Sequence, residues 1–183
     1  SLITLYPEGM LTSRGDPFYT LMRSIIGQQI SVKAADAVWL RLENAATSIQ
    51  PESLLALSDE ALRACGLSRQ KITYMRNLVE FFIARHITLT FWDAMDDETA
   101  IAHITQVKGI GRWTAEMFLM FCLLRSDIFP LDDIGLQRGL SLHYLPHAQK
   151  PFPKQEALTI AEHWRPYRSV ATWYIWRSID PSE

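Results

Sequence analysis

The chain has 183 residues, 48% of them hydrophobic, and a formal charge of −2. That length supports one substantial domain or two small lobes sharing a cleft, and the charge excludes a globally basic nucleic-acid binder, so any phosphate-binding surface has to be local. Cys65 and Cys122 are too few for a four-cysteine zinc or iron–sulfur site, and both lie in apolar stretches that read as buried thiols of a reducing compartment.

In chain order, Asp16-Pro17-Phe18 reads as an N-cap followed by proline at the first helical position. The helix carries Phe18, Leu21, Met22, Ile25 and Ile26 on one face and breaks at Gly27. Ser31 caps the next helix, with Ala35, Val38, Trp39 and Leu42 inward. Ser58 opens a short helix closed by Gly66, and Ser68 opens a longer one through Ile72, Met75, Leu78, Val79 and Phe82. Asp96 and Asp97 precede a helix ending near Gln106, and another runs from about Thr114 to Leu124. Further helices are predicted over Ile134 to Tyr144, Lys154 to Trp164 and Tyr167 to Ile179. No alternating strand pattern stands out, so the fold expected is all-α, with roughly nine to eleven short helices. No apolar run reaches eighteen residues and no signal peptide is visible, so no membrane span is expected; Ser1 in place of Met points to a trimmed or renumbered start.

Two stretches interrupt the helices. In "VKGIGRWTAEMF", Gly109 and Gly111 allow a tight turn between helices, and the following helix presents first-turn amides and a positive dipole end. With Lys108 and Arg112 alongside, that is an anion site suited to a phosphate, although a ligand-free helix–helix turn has the same pattern. In "RSDIFPLDDIG", a proline-containing loop carries three acids, Asp127, Asp132 and Asp133, and either of the last two is also suited to cap the helix from Ile134.

Taken together, "DPFYTLMRSIIGQQISVKAA", "GLSRQKITYMRNL", "VKGIGRWTAEMFLMF", "DIFPLDDIGLQRGL" and "WRPYRSVATWYIWRS" resemble the helix-hairpin-helix family of DNA glycosylases, over about Leu5 to Ile179. Within it they are most similar to the alkylation-repair branch, DNA-3-methyladenine glycosylase II. The resemblance implies a two-lobed helical fold with the lesion pocket in the cleft. Residues 1–16 plus 126–183 would form the terminal lobe. Residues 17–125 would form the central lobe, with the hairpin at about 97–124. Larger members carry an extra N-terminal α/β domain, for which this chain has no room.

The same resemblance implies the site. Lys108, Gly109, Gly111, Arg112 and Thr114 would bind the DNA backbone, and the carbonyls of Thr105, Val107 and Gly109 would hold a monovalent cation; no organic cofactor or catalytic metal is expected. Family register selects Asp133 as the catalytic acid, five residues before Arg138. A carboxylate there would stabilise the oxocarbenium character that develops as an N-glycosidic bond breaks. Trp113 stands where related bifunctional enzymes have a Schiff-base lysine, so a monofunctional enzyme is implied, with water as attacker. Trp113 and Trp176 would line a pocket for a cationic alkylated purine, whereas Trp39, Trp92 and Trp164 read as core. Gln29 would be the wedge that fills the gap left by a flipped base, where better-known relatives have leucine. Gln28 equally suits a helix end.

Lys33, Lys108, Arg112 and Arg138 would supply the positive face; Arg69 and Lys71 fit either phosphate contacts or a solvated helix face. The five histidines, His147 among them, show no metal-ligand spacing. The expected protein is an intracellular monomer, in the nucleoid or nucleus, acting on double-stranded DNA with alkylated bases. Another damaged purine such as hypoxanthine, or DNA binding without chemistry, are the alternatives.

Overall fold

The computed structural model describes residues 2–7, 11–144 and 152–180; His147 lies outside them. Among the described residues there are eleven α-helices, one 3-10 helix and no strand. The helices are α1 (Leu2–Leu5), α2 (Pro17–Gly27), α3 (Val32–Ala45), α4 (Pro51–Leu55), α5 (Asp59–Ala64), α6 (Arg69–Arg85), α7 (Asp97–Ile104), α8 (Arg112–Phe121), α9 (Ile134–Tyr144), α10 (Lys154–Glu162) and α11 (Arg168–Ile179).

Capping chemistry fixes where five of these begin. Asp16, Ser31, Ser58, Ser68 and Asp96 each accept a hydrogen bond from the amide three residues on, satisfying a first-turn donor that has no partner in its own helix. Gly66, at φ +98°, ends the α5 turn as the sequence suggests. Three elements carry no such cap or periodicity: α1, α4 and the 3-10 turn Leu89–Trp92. They are too short for an apolar repeat to show.

The chain divides into two compact units, Arg14–Phe118 and Ser1–Ser13 with Leu119–Glu183. The division falls within α8, whereas the sequence reading placed the borders at 17 and 125. In the first unit α6 is the central helix, and α2, α4 and α5 pack on it. Its core includes Phe18, Met22, Leu42, Met75, Leu78 and Trp92, all at most 2% exposed. Phe18 meets Phe82 edge-on at 5.1 Å, and Trp92 meets Phe118 at 5.5 Å. Cys65 and Cys122 are buried free thiols.

In the second unit α9 packs along α11, and Leu136, Leu140, Phe152, Ala157 and Ile175 form its core, with Trp164 partly buried against them. The approach of these helices is close: a Cβ on Gly139 would stand 2.3 Å from the Ile175 side chain. The loop before α9 is tied to the start of α11. Arg168 donates to the Asp127 carboxylate from Nε at 2.7 Å and to its backbone carbonyl at 2.8 Å, and Arg165 donates to the same carboxylate at 2.7 Å. Ser169, fully buried, accepts the Ile128 amide at 2.9 Å and donates to the Arg125 carbonyl at 2.6 Å. Asp127 is thereby a structural acid.

Burial pushes the Asp127 carboxyl up, but the Arg168 hydrogen bond and the two arginine charges outweigh it and hold the group below the usual carboxylate range. A carboxyl depressed in the folded state stabilises the fold above its unfolded-state pKa and loses that contribution as pH falls through the folded-state value. Asp127→Asn is expected to cost about 1–3 kcal/mol at neutral pH by urea unfolding. The gap to wild type should close as the pH is lowered below about 4.

Candidate nucleic-acid interface and active site

The hairpin lies between α7 and α8. Val107 donates its amide to the Ile104 carbonyl at 3.1 Å and accepts the Ile110 amide at 3.0 Å, and both side chains are buried anchors. Gly109 sits at φ +93°, and a Cβ there would stand 2.2 Å from the ring of Tyr74 on α6. Glycine is required twice over, for the backbone angle and for the ring beneath it. Gly111 differs from expectation: its φ is not left-handed, and an added Cβ would meet nothing within 4 Å. What its missing side chain provides is open space at the start of α8.

That helix begins at Arg112, two residues earlier than the sequence suggests, and ends at Phe121 rather than Leu124. Its first backbone bond is Ala115 N–H to the Gly111 carbonyl at 3.1 Å, so Thr114 and its predecessors form the first turn, where helix amides and the positive dipole end face out.

The charges at the turn are not equivalent. Arg112 donates bidentately to Glu98, at 2.5 and 2.9 Å, and through Nε to the buried Glu116 at 2.9 Å. Its hydrogen bonds to Glu98 lead the causes that raise its pKa further, and the same contacts hold the Glu98 carboxyl down. Lys108 is exposed, and no carboxylate pairs with it among the described residues. The Gly109 carbonyl accepts the Gln28 side-chain amide at 2.8 Å. A carbonyl oxygen carries two lone pairs, so this bond, and that of Ile110 on Val107, leave both oxygens able to ligate a cation.

The turn after α2 carries the candidate wedge. Gln29 is exposed and holds a left-handed φ of 58°, uncommon for a residue with a Cβ. Lys71 does not face outward as a phosphate ligand would: its ammonium donates to the Ile26 carbonyl at 2.6 Å, and burial pushes its pKa down. Arg69 and Lys33 are exposed.

The three acids of the second loop separate by their partners. Asp127 belongs to Arg168 and Arg165, and the exposed Asp132 pairs with Lys154. Asp133 accepts the Leu136 amide at 2.6 Å and the Trp176 indole N–H at 2.7 Å, both on Oδ1. It is therefore the N-cap of α9 and a fixed carboxylate at once. Gly135 makes room for it, since a Cβ there would lie 3.1 Å from Asp133 Oδ1 and 3.2 Å from the Trp176 ring. Trp176 is stacked on Phe121, with centroids 6.1 Å apart and planes 20° apart. Trp113 is 50% exposed in the first turn of α8. Trp39 and Trp92 are core, at 6% and 0% exposure. Arg138 is exposed on α9. The sequence reading missed Tyr74, Glu98 and the Trp176–Asp133 bond; only the Asp-to-Gly spacing of "DDIG" hinted at the last.

An all-helical fold with a glycine hairpin at a helix start, and an aspartate clamped at the head of another, defines a helix-hairpin-helix protein with a candidate catalytic carboxylate. The chain belongs to the HhH-GPD superfamily of base excision DNA repair proteins, whose family model matches residues 22–166. It is similar to DNA-3-methyladenine glycosylase 1 of Schizosaccharomyces pombe, at 35% identity over 97% of this chain and 78% of that protein. A crystal structure of DNA-3-methyladenine glycosidase from Bacillus halodurans superposes with TM-score 0.89 at 36% identity, over 98% of this chain and 85% of that one. A Schizosaccharomyces pombe 3-methyladenine DNA glycosylase in complex with abasic DNA gives TM-score 0.77 at 32% identity, over 97% and 88% of the two chains.

Two stability measurements check the local geometry. Gly109→Ala should lose about 2–4 kcal/mol in urea unfolding, from the left-handed angle and the Tyr74 overlap, and Gly111→Ala less than about 1 kcal/mol. Trp176→Phe, which keeps a ring but no donor, should lose about 1.5–3 kcal/mol.

Proposed function

We propose that this protein is a monofunctional DNA glycosylase that hydrolyses the N-glycosidic bond of alkylated purines, of the 3-methyladenine type, in double-stranded DNA. The observation that carries this reading is the Asp133 carboxylate, held by two N–H donors on one oxygen in a family of base excision repair proteins. The similarity to proteins named for 3-methyladenine supports the choice of lesion.

The chemistry follows from the side chains. Alkylation at N3 or N7 leaves a purine cationic, so the bond from the anomeric carbon breaks with its electron pair going to the base, which departs neutral. The sugar takes on positive charge as the base leaves, and a fixed carboxylate lowers that barrier because it needs no reorganisation. Water then bonds to the anomeric carbon, and Asp133 accepts its proton. The product is an abasic site. Trp113 offers an exposed indole face to the cationic base, worth on the order of 0.5–2 kcal/mol. An indole forms no Schiff base, so strand cleavage is not part of the reaction. Trp176, whose N–H orients Asp133, would line the same pocket with its ring.

The hairpin amides and Lys108 would dock a phosphate, with a monovalent cation on the carbonyls of Thr105, Val107 and Gly109 adding positive charge beside it. Gln29 would fill the place of the extruded base. Lys33, Arg69 and Arg138 are exposed cations available to further phosphates. The protein would act as a monomer inside the cell.

The test is release of free bases from methylated duplex DNA, read by chromatography. Wild type should release 3-methyladenine, and Asp133→Asn should be slower by about 10²-fold or more while still binding DNA. Release of a different base would change the substrate; binding without release by wild type would overturn the enzymatic reading.

A further inference from the structure

The turn after α2 and the hairpin are 81 residues apart in sequence, and one side chain joins them: Gln28 Nε2 donates to the Gly109 carbonyl at 2.8 Å. Among the described residues no other side-chain hydrogen bond links the two turns. Both turns carry backbone that needs holding. Gln29 sits at φ 58°, a strained conformation for a residue with a Cβ, and untied it would relax to an extended angle. Two ties oppose that. Lys71 clamps the Ile26 carbonyl ahead of the turn, and Gln28 is fastened within it. Gly109 in turn rests on the Tyr74 ring, whose hydroxyl accepts from Gln70 at 2.7 Å. One face of α6 therefore supports both turns, and the Gln28 amide fixes the spacing between them.

We propose that Gln28 is a positioning residue that couples the hairpin to the Gln29 turn, so that docking a phosphate on the hairpin sets the angle at which Gln29 enters the duplex. The proposal rests on the glycosylase reading for the role of Gln29. Gln28 itself touches neither base nor sugar. Its donor goes to a carbonyl, so an isosteric group without N–H breaks the coupling: methionine keeps the length, and glutamate keeps the shape but sets a carboxylate against the Gly109 oxygen.

The experiment compares wild type, Gln28→Met, Gln28→Glu and Gln29→Ala by three readouts. Affinity is measured by anisotropy on a duplex carrying a tetrahydrofuran abasic analogue. Insertion is read from the fluorescence of 2-aminopurine placed opposite that analogue. Excision is measured under single turnover on methylated DNA. Gln28→Met should lose about tenfold in single-turnover rate, and its 2-aminopurine response should fall to that of Gln29→Ala, with affinity and melting temperature within about twofold and a few degrees of wild type. Gln28→Glu should be at least as impaired. Wild-type rate and fluorescence in Gln28→Met would overturn the proposal, as would losses that track affinity or melting temperature, since those mark a merely structural bond. If wild type releases no base, the glycosylase reading fails, while the fluorescence arm still decides whether Gln28 controls insertion.

Discussion

One oxygen of Asp133 holds two donors from different helices: the Leu136 amide of α9 and the Trp176 indole of α11. That shared acceptor constrains much of its unit. It starts α9, ties α11 to that start, and leaves little room for a side chain at position 135. The neighbouring helix contact obeys the same closeness, with Gly139 against Ile175. A carboxylate placed this way is a cap by its bonding and, in the proposed reaction, would also be a reagent, with neither use costing the other anything. Pre-arranged negative charge is the most effective form of electrostatic catalysis, because folding has already met the cost of orienting it.

The near-zero net charge looks awkward for a DNA-binding family until the charges are sorted by partner. Arg23, Arg76, Arg112, Arg165 and Arg168 are engaged with carboxylates inside the fold. Lys33, Arg69, Lys108 and Arg138 are exposed, with no paired carboxylate among the described residues. Where the unpaired cations lie, rather than the total of −2, decides what the surface can offer a phosphate.

The fold was legible where short-range rules apply. Asp16, Ser31, Ser58, Ser68 and Asp96 cap their helices as expected, because capping joins residues three apart and is visible in a string. Gly109 was legible through the turn chemistry around it; local rules left Asp132 and Asp133 both open as caps, and motif order singled out Asp133. Contacts across tens of residues were not legible. Nothing local in "QVKGIGRW" says that Glu98 holds Arg112, or that Tyr74 lies under Gly109. Lys71 looked like a surface cation and is a helix-end clamp. Gln28 could be read as closing a helix; that its side chain reaches the hairpin is a property of the fold alone.

The pairing of Arg112 has a thermodynamic side. Affinity gained by neutralising a phosphate with an unpaired cation comes with release of ions condensed on DNA, and so weakens steeply as salt rises. An arginine already satisfied by Glu98 and Glu116 displaces few such ions, and peptide dipoles displace none. A phosphate seated on this turn would be held chiefly by amides aimed before it arrives. Of the two basic side chains there, Lys108 alone would then carry the hairpin's ionic-strength response, the rest falling to the exposed lysines and arginines elsewhere.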